Sequence, residues 1–263
     1  MMAFSRRLAI LPGGLGGLGS SIGKKLRQQG ARLAILYAPF EASRRDELLE
    51  SGYGADTNID EIHTYECDIT SSDSVQSAFH LLERKNSEHN TSSPKEATFP
   101  SILINTAGYV SLSDMEVTPP EETLKHLTTN IYGPMLCSQA FARMYFAASQ
   151  AAEESSSPTP PGRIVSISSQ AAHAALHRHG AYCASKAGLL GLTRSMASEW
   201  GAWEEGLGEE KIRNAFLESI PTGKFALPEE VADSVLFLCQ YLQDSSGMIN
   251  GADIRVDGGF TVR

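Results

Sequence analysis

The sequence predicts an α/β fold: one doubly wound parallel sheet with helices on both faces. Three observations carry that expectation. Short apolar runs alternate with helix-like stretches, and strict strand–helix alternation implies parallel strands joined by crossover helices. Neither an internal repeat nor a Pro/Gly linker divides the 263 residues, so a single domain over residues 1–263 is expected. A glycine cluster at residues 13–19 lies between the first apolar run and the first helical stretch, the place where a Rossmann-type sheet carries its phosphate loop.

Taken in order, residues 8–11 form a short buried-strand run, and residues 22–29 have helical character after the glycines. The next strand is expected at 32–37, followed by a charged helix over about 41–50. Residues 62–67 read as strand and 72–84 as helix, with Ser72 or Asp73 as its N-cap. Residues 101–105 are strand; 121–149 are helical with a break near Gly133-Pro134. Strand 163–168, helix 181–200, helix 229–241 and a short strand 254–256 complete the reading. Two stretches, 85–100 and 151–162, are rich in Ser, Asn, Thr and Pro and precede strands. Their composition reads as flexible surface insertions.

Hydrophobic residues make up 41% and charged residues 20%, as in ordinary globular chains. Acids outnumber bases 31 to 22, a net charge of −9. That excess argues against a general nucleic-acid binder, which needs a basic face to displace counterions from phosphates. A membrane span needs about 18 consecutive apolar residues, and the chain has no such run. The N-terminal ten residues, with a short apolar run ending at Pro12, do not fit a secretory signal. The cytoplasm is the expected location. Cys67, Cys137, Cys183 and Cys239 are widely spread with no C-x-x-C pair. They read as reduced thiols, not as a disulfide framework or a zinc site, and no metal is expected.

The glycine loop carries the first chemistry. Gly14, Gly16 and Gly19 satisfy G-x-G-x-x-G, and Gly13, Gly17 and Gly19 satisfy G-x-x-x-G-x-G. Both spacings allow a tight turn, close approach to a pyrophosphate, and a helix N-terminus whose unpaired N–H groups face the anion. The acid expected about 20 residues further on, which would bond a ribose 2′-hydroxyl, is absent. Tyr37 stands in its place, followed by Ala38 and Pro39. Arg44 and Arg45 lie a turn into the next helix, either to meet a 2′-phosphate or as solvated helix charges. The missing acid points to NADP as the preferred coenzyme, with NAD as the alternative.

Tyr182-Cys-Ala-Ser-Lys186 places a phenol and an ammonium at i and i+4, on one helix face. A free phenol titrates near 10, too high for a proton shuttle at neutral pH, and a neighbouring cation favours the phenolate. The pair therefore suits general acid/base work. Ser169 ends the strand before it, and strand ends are where ligands bind in parallel sheets. His173, His177 and His179 lie between Ser169 and Tyr182 and read as surface or loop histidines.

From residue 13 to residue 259 the chain resembles the short-chain dehydrogenase/reductase family. Gly13, Gly17 and Gly19 match the family's cofactor loop, although Pro12 replaces its usual Thr. Asp68 in Cys67-Asp-Ile-Thr matches the acid that contacts adenine, and Asn105-Thr-Ala-Gly108 matches Asn-Asn-Ala-Gly with one change. Asn130, Ser169, Tyr182 and Lys186 match the catalytic tetrad, and 221–228 and 250–259 match the C-terminal segments. The last of these is similar to fungal and bacterial members acting on sugars, polyols or small ketones.

The resemblance implies an NAD(P)(H)-dependent oxidoreductase interconverting a secondary alcohol and a ketone, on a small polar, sugar- or polyol-like substrate. It implies proton transfer by Tyr182, carbonyl polarisation by Ser169, a pKa-lowering and ribose-binding Lys186, and a water held by Asn130. The implied cofactor-binding residues are Gly13, Leu15, Gly17, Leu18, Gly19, Tyr37, Asp68, Ile69, Asn105, Ala107 and Gly108, with Tyr182 and Lys186 shared. A homodimer or homotetramer is also implied. One part of the pattern is missing. In the family a strand with Val-Asn-x-x-x-Pro-Gly follows the Tyr/Lys helix. Here only residues 202–219 separate Gly201 from Ile220-Pro221, with no Pro-Gly among them. The sixth strand and the front of the substrate loop are read as absent. The alternative function is a catalytically silent dinucleotide-binding or interaction protein on the same fold.

Overall fold

The computed structural model describes residues 2–54, 61–154 and 159–200. The chain divides into two compact units, 1–190 and 191–263. The helix expected at 229–241, the strand at 254–256, Cys239 and the missing-strand segment lie outside the described residues.

Among the described residues, five parallel strands form one sheet in the order β3-β2-β1-β4-β5. They are β1 (Arg7–Pro12), β2 (Arg32–Tyr37), β3 (Ile62–Glu66), β4 (Phe99–Asn105) and β5 (Arg163–Ser166). The helices are α1 (Gly17–Gln28), α2 (Arg45–Tyr53), α3 (Ser72–Ser92), α4 (Pro120–Leu127), α5 (Gly133–Glu154) and α6 (Gly180–Trp200). Successive strand residues face opposite sides of the sheet, and both sides are buried, so β1 reads as a continuous apolar run. Leu8 and Ile10 join Leu36, Leu103 and the α3 and α5 residues Phe79 and Phe141 in one core. Ala9 and Leu11 join Leu33, Ile35, Ile104, and Leu26 of α1 and Tyr53 of α2 in the other. Pro100 has no N–H for the ladder, and the β1–β4 register shifts beside it, between Leu8 and Ala9.

Four local expectations are corrected. The polar stretch 85–100, read as a flexible insertion, is helical to Ser92 and turns through a 3₁₀ segment, Pro94–Glu96, into β4. Its asparagines work as clamps: Asn86 and Asn90 each donate to the Thr98 carbonyl, and Asn90 accepts from the Thr98 N–H. Polar composition here marks side chain–backbone bonding. Of 151–162, residues up to Glu154 continue α5. The N-cap of α3 is Ser71, whose hydroxyl accepts from the Ser74 N–H at 3.3 Å. The break expected at Gly133-Pro134 is a π turn, Thr128–Tyr132, that carries α4 into α5.

Candidate active site

The strand order reverses between β1 and β4, and ligands of open α/β sheets bind in the crevice at that switch point. There the two loops touch. The Pro12 carbonyl accepts from the Thr106 and Ala107 N–H groups and from the Thr106 hydroxyl. Gly13 has φ +78°, and a Cβ on it would lie 2.6 Å from the Ala107 nitrogen. At Gly19 a Cβ would lie 2.3 Å from the Gly13 carbonyl oxygen. Side chains are excluded at both positions. Around Gly17, by contrast, a Cβ would meet nothing within 4 Å. Gly17 opens α1 after the Gly16 N-cap, so no side chain caps the first-turn N–H groups. This cradle fits a dinucleotide pyrophosphate. Tyr53 braces it from α2: its hydroxyl donates to the Gly14 carbonyl at 2.9 Å, and burial raises its pKa well above the ordinary phenol value.

The structure sorts the other cofactor candidates. Leu18 is exposed beside the cradle, whereas Leu15 and Tyr37 are buried in the core between β1, β2 and α1. Asp68 is half-buried after β3; its Oδ1 accepts from the Thr70 N–H and hydroxyl. Ile69 packs in the opposite core, under Gly133. Asn105 is buried and donates to the Ser138 hydroxyl of α5, so its side chain serves the core. Ala107 and Gly108 follow at the crevice, Gly108 exposed. Past β2, Arg44 pairs with Glu47 at 3.0 Å and Arg45 with Asp46 at 2.7 Å. Glu41 folds back to accept from the Ala38 N–H at 2.8 Å.

Asn130 of the π turn bonds Ser185 of α6, the helix that carries Tyr182 and Lys186. Ser169 follows β5; its hydroxyl oxygen accepts from the Ala171 N–H at 3.1 Å, leaving the O–H to donate. Lys186 lies on α6 one turn beyond Tyr182, its Nζ 5.9 Å from the Tyr182 ring centroid. That Nζ donates to the Ile167 carbonyl at 2.8 Å, and burial lowers the ammonium pKa from its ordinary 10.5. A Cβ at Gly108 would lie 3.4 Å from Asn130 Oδ1 and 3.6 Å from Lys186 Nζ, so Gly108 sits between these two.

Asn130 is fully buried, and its amide is spent on neighbours. Oδ1 accepts from the Tyr109 N–H; Nδ2 donates to the Tyr109 carbonyl and to the Ser185 hydroxyl. Its backbone differs. Pro134 has no N–H, so the Asn130 carbonyl has no α-helical donor four residues on. π turns recur at functional sites for this kind of reason.

The sequence reading missed the residues that hold this centre. Ser185, within the Tyr-x-x-x-Lys motif, donates to the Tyr182 carbonyl and accepts from Asn130. Glu122 accepts from the Tyr109 and Ser111 hydroxyls, which lower its pKa, Tyr109 first. His126 is buried between Tyr109 and Tyr182, with ring centroids at 4.9 and 6.3 Å. The i, i+4, i+8 spacing of Glu122, His126 and Asn130 was the available signal. Cys67 and Cys137 are buried, and burial pushes the Cys67 thiol up to about 11 and Cys137 well above its ordinary value.

Fold and site together define a dinucleotide-binding α/β protein with a Ser, Tyr and Lys at the carboxyl edge of its sheet. The family model described as enoyl-(acyl carrier protein) reductase matches residues 13–204 and 202–261. The chain belongs to the short-chain dehydrogenase/reductase family. The two matched pieces join at the stretch where the sequence lacks part of the family pattern. The chain is 30% identical to D-threitol dehydrogenase of Mycolicibacterium smegmatis, covering 98% of this chain and 94% of that protein. It is 27% identical to the NAD-dependent glycerol dehydrogenase of Listeria innocua, with coverage of 98% and 94%. Among solved structures, a metagenomic short-chain oxidoreductase in complex with NADP is similar at 26% identity. The TM-score is 0.56, over 75% of this chain and 77% of that one. No helix among the described residues is long and apolar enough to cross a membrane.

Proposed function

We propose that the chain is an NAD(P)(H)-dependent oxidoreductase that interconverts a secondary alcohol and a ketone, with a small polyol-like substrate. The observation that carries this is Lys186, whose Nζ lies 5.9 Å from the Tyr182 ring centroid, bonds the Ile167 carbonyl just past β5 and neighbours Gly108 of the switch-point loop. The bound nicotinamide supplies or accepts the hydride. The protein supplies positions and a proton path. The Ser169 O–H donates to the substrate oxygen. The Tyr182 phenol gives that oxygen a proton in reduction and removes one in oxidation. Lys186 stands one turn on, its Nζ 5.9 Å from the Tyr182 ring centroid. The Asn130 carbonyl, lacking an α-helical donor, is the acceptor for a water that refills the proton. The relatives named for threitol and glycerol support the substrate class.

The coenzyme reading moves from the sequence expectation of NADP toward NAD(H). The segment after β2 holds three acids, Glu41, Asp46 and Glu47, against Arg44 and Arg45. Both arginines face their own acids, and Glu41 turns its carboxylate back to the end of β2. A ribose 2′-hydroxyl can donate to a carboxylate there, whereas a 2′-phosphate meets net negative charge. A homo-oligomer and a cytoplasmic location remain part of this reading.

Tyr182→Phe tests the mechanism. Turnover of a polyol or ketone panel should fall by about 10²–10⁴-fold, the range for lost general acid/base catalysis, with dinucleotide affinity unchanged. Undiminished turnover in the Phe variant rules out the phenol as proton donor.

A further inference from the structure

We propose that His126 is a positioning residue that clamps the loop after β4 over the active site and fixes its edge against Tyr182. The proposal deepens the functional reading above and rests on it for the identity of the site.

His126 is 1% exposed, on α4, one turn before Asn130. Both ring nitrogens are used, and their partners determine the tautomer twice over. Nε2 lies 3.1 Å from the Ser111 backbone nitrogen, a donor, so Nε2 presents its lone pair. Nδ1 lies 2.7 Å from the Glu122 carbonyl oxygen, an acceptor, so Nδ1 carries the hydrogen. Only the neutral Nδ1–H imidazole satisfies both.

The loop needs such a hold. Between β4 and the 3₁₀ turn at Met115–Val117 it forms no regular structure, and it exposes Val110 and Leu112. Its far end, at Ser113 and Asp114, is tied to Arg178. The bonds of Tyr109 and Ser111 run to one stripe of α4 and the π turn. Asn130 takes both backbone groups of Tyr109, His126 takes the Ser111 N–H, and Glu122 takes the Tyr109 and Ser111 hydroxyls. Within this stripe His126 is the member that also meets the proposed proton donor. Its ring lies between those of Tyr109 and Tyr182, edge-on to the latter at 6.3 Å, within the range of aromatic pairs. A buried core histidine without a role has no reason to bridge the loop backbone and the Tyr182 ring together.

The test compares the full-length wild type with His126→Leu, which fills the space without an acceptor, and His126→Gln, which restores one. Amide hydrogen exchange at residues 109–114 should be at least tenfold faster in the Leu variant, with β4 unchanged, and return to within threefold of wild type in the Gln variant. The substrate KM should rise at least fivefold in Leu and recover in Gln, with dinucleotide affinity within twofold throughout. Nitrogen-15 NMR of the wild type should show Nδ1 protonated and Nε2 bare at neutral pH. Unchanged exchange in the Leu variant, acceleration spread across β4, failure of Gln to restore protection, or the opposite tautomer overturns the proposal. A wild type that turns over no alcohol or ketone sinks the functional reading instead, and the exchange and tautomer measurements still decide the clamp.

Discussion

Lys186 is buried, and its ammonium donates to the Ile167 carbonyl at 2.8 Å. Burial lowers its pKa, so the folded chain holds this proton more weakly than the unfolded chain. Below the lowered value both states are protonated and the folded state bears the full cost of desolvation. As pH rises from the lowered value toward 10.5, the folded state sheds the proton first and the cost fades. Urea unfolding of wild type and Lys186→Met should therefore show wild type gaining stability relative to the variant as pH rises toward 10.5. A constant difference across that window contradicts a depressed pKa. Tyr182 and Lys186 were legible as a pair because helical geometry alone puts i and i+4 on one face. The buried partners were not legible, because the worth of His126 or Ser185 depends on which backbone group the fold brings to it.

The glycine loop and the π turn make separable predictions at the level of elements. Gly19→Ala forces a Cβ to 2.3 Å from the Gly13 carbonyl, and overpacking of that kind costs about 1–3 kcal/mol. Its Tm should fall. Gly17→Ala meets open space and should leave Tm unchanged, while weakening dinucleotide binding because the methyl enters the anion cradle. Equal binding by Gly17→Ala and wild type would place the pyrophosphate elsewhere. At the π turn, Pro134→Ala supplies an N–H that can reach the Asn130 carbonyl. One added hydrogen bond is worth about 1 kcal/mol, so Tm should rise as kcat falls. A variant with unchanged kcat would remove the carbonyl from the proton path. Strand positions were readable because buried parallel strands are short apolar runs. The 85–92 stretch was misread because asparagines that clamp Thr98 have the same composition as a loop.

For the whole molecule, the sheet order, the cradle and the tetrad describe one crevice, and the family match extends through residue 261. The stretch where the sequence lacks part of the family pattern falls outside the described residues. The acids after β2 are the reason the proposed function favours NADH over NADPH. The most direct test is a titration of the full chain with NADH and with NADPH, following nicotinamide fluorescence. The account predicts saturable binding of NADH, tighter than NADPH, with Glu41→Gln narrowing the gap. Binding of neither coenzyme contradicts the dinucleotide cradle itself, and tighter NADPH contradicts the role given to Glu41.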